Sequence, residues 1–207
     1  MVLTTSLFAW WKWDQRVFSG WTLIVVAGDH GEGFDEHGES GHGVFCYGET
    51  INIPLILWAP RRLPAGLVCR QPVSLVDIAP TVLEFLKMPR PARFQGLPLQ
   101  KLLKKSKPSD RPFFLESVFP QESFNAAPVR GIIQGDFKYL DLPRPEFYDL
   151  GADIGETNDL APAKPDATRQ LAGAVDAWNK ELVSPAFPGL GARQQGKAKA
   201  KQKKSAN

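Results

Sequence analysis

The residues best equipped for chemistry crowd into one window, Val25 to Gly43. All three histidines of the chain, His30, His37 and His42, stand there beside five acids (Asp29, Glu32, Asp35, Glu36 and Glu39) and six glycines. An aspartate next to a histidine suits a hard or borderline divalent cation, because carboxylate oxygen and imidazole nitrogen are both good ligands. Two ligands do not close a coordination sphere. Asp29 and His30 therefore predict an open metal site. Closely spaced glycines let backbone approach a bound anion, and His42 could meet a phosphate or sulfate oxygen or hand a proton to a leaving group. The plainer alternative is a solvated polar loop. Familiar motifs do not fit: Gly38-Glu39-Ser40-Gly41-His42 lacks the last glycine of a nucleophile elbow. Gly31 to Glu36 lacks the closing glycine of a dinucleotide fingerprint. A calcium loop starting at Asp29 would need oxygen ligands at positions 31 and 33, where glycines stand.

Such groups need a rigid support. Trp21 to Ala27 is apolar and rich in β-branched residues, which predicts a buried strand ending on Asp29-His30. In an open α/β sheet, functional groups gather in the loops beyond the carboxyl ends of the strands. Asn52 to Trp58 predicts a second apolar strand, with Pro54 tolerated only at a strand start or edge. Leu67 to Gln71 predicts a short strand after the turn Leu63-Pro64-Ala65-Gly66. Ser74 and Asp77 have the spacing of a capping box ahead of a helix whose face is Ile78, Val82, Phe85 and Leu86. Pro80 fits only the first turn of that helix. A short basic helix is expected over residues 100–105.

The later half changes style. Arg111 to Ser117, Val129 to Ile133, Phe137 to Asp141 and Glu146 to Leu150 read as closely spaced strands, the middle two joined across Gln134-Gly135-Asp136. They imply an antiparallel sheet. From Pro165 to Val183 the spacing of Leu171, Val175, Trp178 and Leu182 predicts a helix with one apolar face.

Composition narrows the function classes. The formal charge of +3 comes from the tail, where Arg193, Lys197, Lys199, Lys201, Lys203 and Lys204 stand without an acid, leaving a net −3 for residues 1–192. The folded part thus lacks the basic surplus of a nucleic-acid binder. Cys46 and Cys69 are expected as buried free thiols. No run approaches the roughly 18 to 20 apolar residues that span a bilayer. No basic segment precedes the apolar start, so a signal peptide is not expected. Four of the six tryptophans (Trp10, Trp11, Trp13 and Trp21) load the first stretch, as for a surface that packs on something. No pattern in the sequence sets the oligomeric state.

Taken in order, these segments resemble the sulfatase family of the alkaline phosphatase superfamily. The resemblance rests on Asp29-His30-Gly31-Glu32, Glu36-His37-Gly38, His42-Gly43, Tyr47 and Ile53-Pro54-Leu55-Ile56. It continues through Ser74-Leu75-Val76-Asp77-Ile78-Ala79-Pro80-Thr81, Gln95-Gly96-Leu97-Pro98-Leu99, and Phe147-Tyr148-Asp149-Leu150 with Asp153, Gly155-Glu156-Thr157 and Leu160. It covers about residues 21 to 182. The resemblance implies an α/β fold: a partial alkaline-phosphatase-like sheet-and-helix core followed by a small C-terminal antiparallel sheet with a packed helix. The expected layout is an atypical aromatic lead at 1–20, the C-terminal part of the core with the metal-site loop at 21–110, an antiparallel subdomain at 111–185 and a disordered basic tail at 186–207.

By the same resemblance Asp29 and His30 are metal ligands, for calcium first and manganese, magnesium or zinc in relatives. His42 stands where many members carry a sulfate-holding lysine and is the expected catalytic residue. Tyr47, Glu49, Asp77 and His37 are expected to be structural. Gly48 and Asn52 replace the family's usual Glu and Arg. The Cys/Ser-x-Pro-x-Arg motif that carries the family's nucleophile occurs nowhere in these 207 residues. The expectation is therefore a C-terminal portion of a sulfate-ester hydrolase, incomplete on its own, from a family whose members are often exported. Two alternatives stay open: a phosphodiester or phosphonate hydrolase or phosphotransferase of the same superfamily, and a non-catalytic truncated fragment.

Overall fold

The computed structural model describes residues 22–60, 62–69, 71–102 and 110–182. The aromatic lead at 1–20 and the basic tail at 186–207 lie outside the described residues. The chain divides into two compact units: one takes residues up to Gly33 together with Glu49–Asp110, the other takes Phe34–Gly48 together with the residues from Arg111 onward. The histidine window is thus divided, with Asp29 and His30 in the first unit and His37 and His42 in the second.

In the first unit, β1 (Ile24–Ala27) pairs antiparallel with a later strand (Leu55–Trp58), Ile24 facing Trp58 and Ala27 facing Leu55. Both form where the apolar, β-branched runs predicted strands. The burial expected of the first strand does not follow at Val26, which remains 46% exposed, and Ile56 opposite it is 49% exposed. A two-stranded ribbon has no second layer over such positions, and β-branched content reports strand tendency rather than what covers the strand. Ser74 opens a single 3-10 turn, Leu75–Asp77, that runs into the helix Ile78–Phe85. Pro80 is its third residue and buried, a first-turn position that needs no intrahelical N–H.

Asp77 organises the chain on either side of that helix. It is fully buried; one carboxylate oxygen accepts the Ser74 N–H at 2.9 Å and the other the Leu97 N–H at 2.7 Å. Thr81 extends the link, its hydroxyl donating to the Asp77 carbonyl and accepting the Leu99 N–H. The expected strand over 67–71 does not form among the described residues; Leu67, Val68 and Cys69 are exposed. Those residues line an apolar hollow of about 330 Å³ against Leu55–Leu57, Leu63 and Leu99. A short helix, Leu99–Leu102, stands where the basic helix was expected over 100–105; residues 103–105 lie outside the described residues.

The second unit is an antiparallel meander. Numbering the strands in chain order, β1 and its partner β4 are followed by β5 (Phe113–Ser117), β6 (Val129–Gln134), β7 (Phe137–Asp141) and β8 (Glu146–Asp149), paired β5-β6-β7-β8. The turn at Gly135 sets Gln134 opposite Phe137, and β8 continues the meander with Phe137 opposite Asp149. One face of this sheet packs on the long helix Pro165–Leu182. Ile132, Tyr139 and Phe147 from the strands close a core with Leu171 and Val175 from the helix, and Phe114 stacks on Trp178 at 4.8 Å. Leu171 and Val175 are the predicted face. The opposite side chains of β7 and β8, Lys138 and Tyr148, are buried as well. The segment 34–48 covers them, carrying two-residue strands β2 (Gly33–Phe34) and β3 (Ser40–Gly41) at its base.

Candidate functional site

Asp29 and His30 leave β1 in a tight loop. The Gly28 N–H bonds the Pro54 carbonyl at 3.2 Å and the Gly31 N–H bonds the Thr50 carbonyl at 2.8 Å, so the loop is tied at both ends to the segment before β4. Gly31 has no alternative there, because a Cβ would lie 2.0 Å from the Glu49 carbonyl oxygen. Within the loop Asp29 Oδ1 accepts the His30 N–H at 3.1 Å, and the second carboxylate oxygen stands 3.8 Å from His30 Nε2. His30 Nδ1 lies 2.8 Å from the Gly31 carbonyl. A carbonyl at that distance holds the ring proton on Nδ1, which gives Nε2 the lone pair that a metal uses. Both side chains are exposed. Glu32 adds a carboxylate oxygen within 4.8 Å of a His30 ring nitrogen. Carboxylate oxygen and imidazole nitrogen are donor types that fit a divalent cation. Residue types alone gave Glu32 no role, and its place beside Asp29-His30-Gly31 is the signal that could have found it.

His42 belongs to the second unit, on an exposed turn between Gly41 and Gly43, which take φ of +112° and +103°. Only glycine adopts such values at low cost. Behind the turn lies Glu39, a carboxylate that is 5% exposed. Its two oxygens accept the Val44 N–H at 2.8 Å and the Phe45 N–H at 2.9 Å. The Ser117 hydroxyl donates to the Gly43 carbonyl from β5, and the Phe119 ring lies against Gly43. The turn carrying His42 is therefore bonded on both sides, although its imidazole faces solvent.

The rest of segment 34–48 is anchored through a buried polar cluster. The Lys138 ammonium donates to Glu156 Oε1 at 2.6 Å, with both side chains almost fully buried. Glu156 Oε2 accepts the Gly48 N–H at 3.1 Å, and the Glu156 carbonyl accepts a bond from His37 Nε2 at 3.0 Å. His37 stacks on Tyr47 at 4.0 Å, and Lys138 Nζ sits over the Tyr47 ring. The hydroxyls of Tyr47 and Tyr148 both donate to Glu146 Oε2, at 2.6 and 2.9 Å. Burial, reinforced by those bonds, pushes both phenols well above the usual tyrosine range. Burial also lifts the Cys46 thiol to about 11. Cys46 is buried as expected, whereas Cys69 is exposed, and both thiols are free. His37, Tyr47 and Asp77 thus hold structure in the way their sequence context suggested.

Comparison with known proteins accords with this architecture. The family model for N-sulphoglucosamine sulphohydrolase, C-terminal, matches residues 36–177. Arylsulfatase K of Rattus norvegicus is 28% identical over 161 residues, covering 72% of this chain and 28% of the relative. The structure of BT4656 in complex with its substrate D-glucosamine-2-N,6-O-disulfate superposes with a TM-score of 0.60 at 27% identity, over 77% of this chain and 34% of that one. The phosphonate monoester hydrolase SpPMH from Silicibacter pomeroyi gives 0.58 at 25% identity, over 78% and 35%. The chain spans about a third of the length of these relatives. It belongs to the sulfatase family of the alkaline phosphatase superfamily, of which it is a C-terminal portion.

Proposed function

We propose that this chain contributes a metal-binding wall and an anion contact to the hydrolysis of sulfate esters. The observation that carries the reading is the Asp29–His30 pair at the end of β1, with His30 Nδ1 lying 2.8 Å from the Gly31 carbonyl and Nε2 3.8 Å from the Asp29 carboxylate. Asp29 and His30, with Glu32 beside them, would hold a divalent cation, calcium in the first instance and manganese, magnesium or zinc as alternatives. Such an ion neutralises charge that builds on the ester oxygens. His42 contacts the sulfate or, as imidazolium, gives its proton to the departing alkoxide oxygen. The nucleophile comes from outside these residues, since the sequence carries no Cys/Ser-x-Pro-x-Arg motif. In this reading 21–110 is the C-terminal part of the catalytic core and 111–185 a small antiparallel subdomain. Sulfated sugars lead the substrate class, by analogy with the relative that binds D-glucosamine-2-N,6-O-disulfate.

Cation binding and turnover test it separately. Calorimetric titration with calcium, manganese, magnesium and zinc should show one site that Asp29→Ala abolishes. Sulfatase assay of the chain alone, with and without calcium, should show no turnover. Robust turnover abolished by Asp29→Ala would refute the half-site reading, and failure of all four ions to bind would refute the metal assignment. The likeness to a phosphonate monoester hydrolase supports a second reading, hydrolysis of phosphodiesters or phosphonates. A panel of aryl sulfates, aryl phosphodiesters and phosphonates, run on an enzyme that includes the nucleophile segment, separates the two.

A further inference from the structure

We infer that Glu39 is a positioning residue for His42, an inference that rests on His42 being the anion contact of the proposed function. A glutamate between Gly38 and Ser40 in a polar window would ordinarily stay at the surface, as Glu36 does while its carboxylate accepts the Phe34 N–H. Glu39 instead turns inward, is almost wholly buried, and spends both carboxylate oxygens on consecutive backbone N–H groups, Val44 and Phe45. These are the two residues after Gly43, so the bonds tie the chain just beyond His42 to the chain just before it. Between the tied ends the backbone makes its two left-handed steps at Gly41 and Gly43. Such a turn has many shapes when unrestrained, because glycine loses more conformational freedom on ordering than other residues. Two charge-assisted bonds from one rigid carboxylate select among them. The Ser117 hydroxyl adds a bond to the Gly43 carbonyl from the sheet side.

The arrangement has a specific length requirement. The carboxylate must reach two adjacent amides at once, so neither charge alone nor a single acceptor is enough. Glu39→Gln keeps the length but presents one carbonyl oxygen and an NH2 that cannot accept. Glu39→Asp keeps the charge but is one methylene short. Both should release the turn without emptying a hydrophobic core. The consequence is read at His42, the exposed ring carried by the turn that Glu39 holds.

The test uses the chain as it stands, with inorganic sulfate as the probe and the His42 ring resonances as the readout. The wild type should show a saturable shift at His42 with added sulfate, and His42→Ala should remove the corresponding binding in calorimetry. Glu39→Gln and Glu39→Asp should each weaken sulfate binding by tenfold or more. They should also speed amide exchange at Val44 and Phe45 at least tenfold while leaving exchange at Ile132 and Tyr139 unchanged. Unaltered sulfate affinity in both Glu39 variants, with His42→Ala defective, overturns the positioning role and leaves the reading of His42 intact. Sulfate binding that survives His42→Ala overturns the reading of His42, and the positioning role falls with it. A general loss of protection that includes Ile132 and Tyr139 identifies Glu39 as a stability residue of the whole unit and likewise overturns the proposal.

Discussion

Lys138 and Glu156 meet at 2.6 Å in the interior of the second unit, their side chains 0% and 2% exposed. Lys138 comes from β7 and Glu156 from a loop residue at φ +52°, and the carboxylate also receives the Gly48 N–H. The pair therefore joins sheet, loop and the end of segment 34–48 at one point. Removing one partner strands the other as a buried charge. Lys138→Met should cost about 3–5 kcal/mol in a denaturant titration. The double variant Lys138→Met, Glu156→Gln should recover most of that loss, because Gln keeps a carbonyl for Gly48 and leaves no charge behind. A single variant as stable as wild type would show that water reaches Glu156.

How much of this was legible in the sequence depends on whether the deciding contact is local. The turn at Gly135 and the spacing of Leu171 and Val175 are local patterns, and strands and helix form where they point. The Ser74–Asp77 spacing likewise announced a helix start, though not the second bond from Asp77 to Leu97, twenty residues on. Lys138 alternates with apolar neighbours, as a lysine on a solvent face would, and it is buried by two distant segments, the Tyr47 end of 34–48 and the return of the chain at Glu156. Glu39 and Glu36 look alike in sequence; one is buried beneath a turn and the other is exposed, and nothing local separates them. The apolar run of β1 misled in the opposite sense, since its composition favours a strand whether or not a second layer covers it. Asp29, His30 and His42 enter the proposed site by residue type and motif, whereas the carbonyl beside the His30 ring and the carboxylate behind the His42 turn are products of folding.

The tyrosine pair at Glu146 sets an alkaline limit. Tyr47 and Tyr148 have folded values raised above the unfolded value, mainly by burial and then by their bonds to Glu146. Tyr139 is raised to about 12, again mainly by burial. For a group raised in the folded state, the stabilisation is complete below the unfolded value and declines as pH climbs past it. Unfolding free energy should thus begin to fall near pH 9, where the buried Cys46 thiol would ionise in the unfolded chain, and fall more steeply beyond about pH 10 as the tyrosines join. Tyr47→Phe should lower stability at neutral pH, by about 1 kcal/mol for the lost hydrogen bond, and make the alkaline fall shallower. Denaturant titrations between about pH 8 and 11.5, which bracket the ordinary tyrosine value, check both parts. An unchanged alkaline slope in the variant would assign the fall to other groups.

Asp77 should be costly to replace. Its buried carboxylate bonds two half-buried backbone N–H groups, at Ser74 and Leu97, that would otherwise lose their acceptor. Asp77→Ala should destabilise by about 3 kcal/mol, and Asp77→Asn, which keeps one acceptor, by about half as much. Amide exchange at Leu97 should accelerate in both variants. Protection retained at Leu97 in Asp77→Ala would mean that the loop before the helix Leu99–Leu102 finds another acceptor.

The His30 loop gives the sharpest structural prediction, because its geometry rests on an absent side chain. At Gly31 a methyl group would stand 2.0 Å from the Glu49 carbonyl oxygen, so Gly31→Ala must displace either the loop or the segment it is tied to. The Gly31 carbonyl that faces His30 Nδ1 moves with it. Loss of the group that orients a metal-ligating imidazole commonly costs about 10–100-fold in affinity. Gly31→Ala should therefore weaken divalent-cation binding by that factor in calorimetry, although Asp29, His30 and Glu32 are all retained. Amide exchange at Ile132 and Tyr139, in the other unit, should not change. Wild-type affinity in Gly31→Ala would show that the imidazole finds its orientation without the Gly31 carbonyl, and the ring proton would then have to be assigned by the chemical shifts of the two His30 nitrogens.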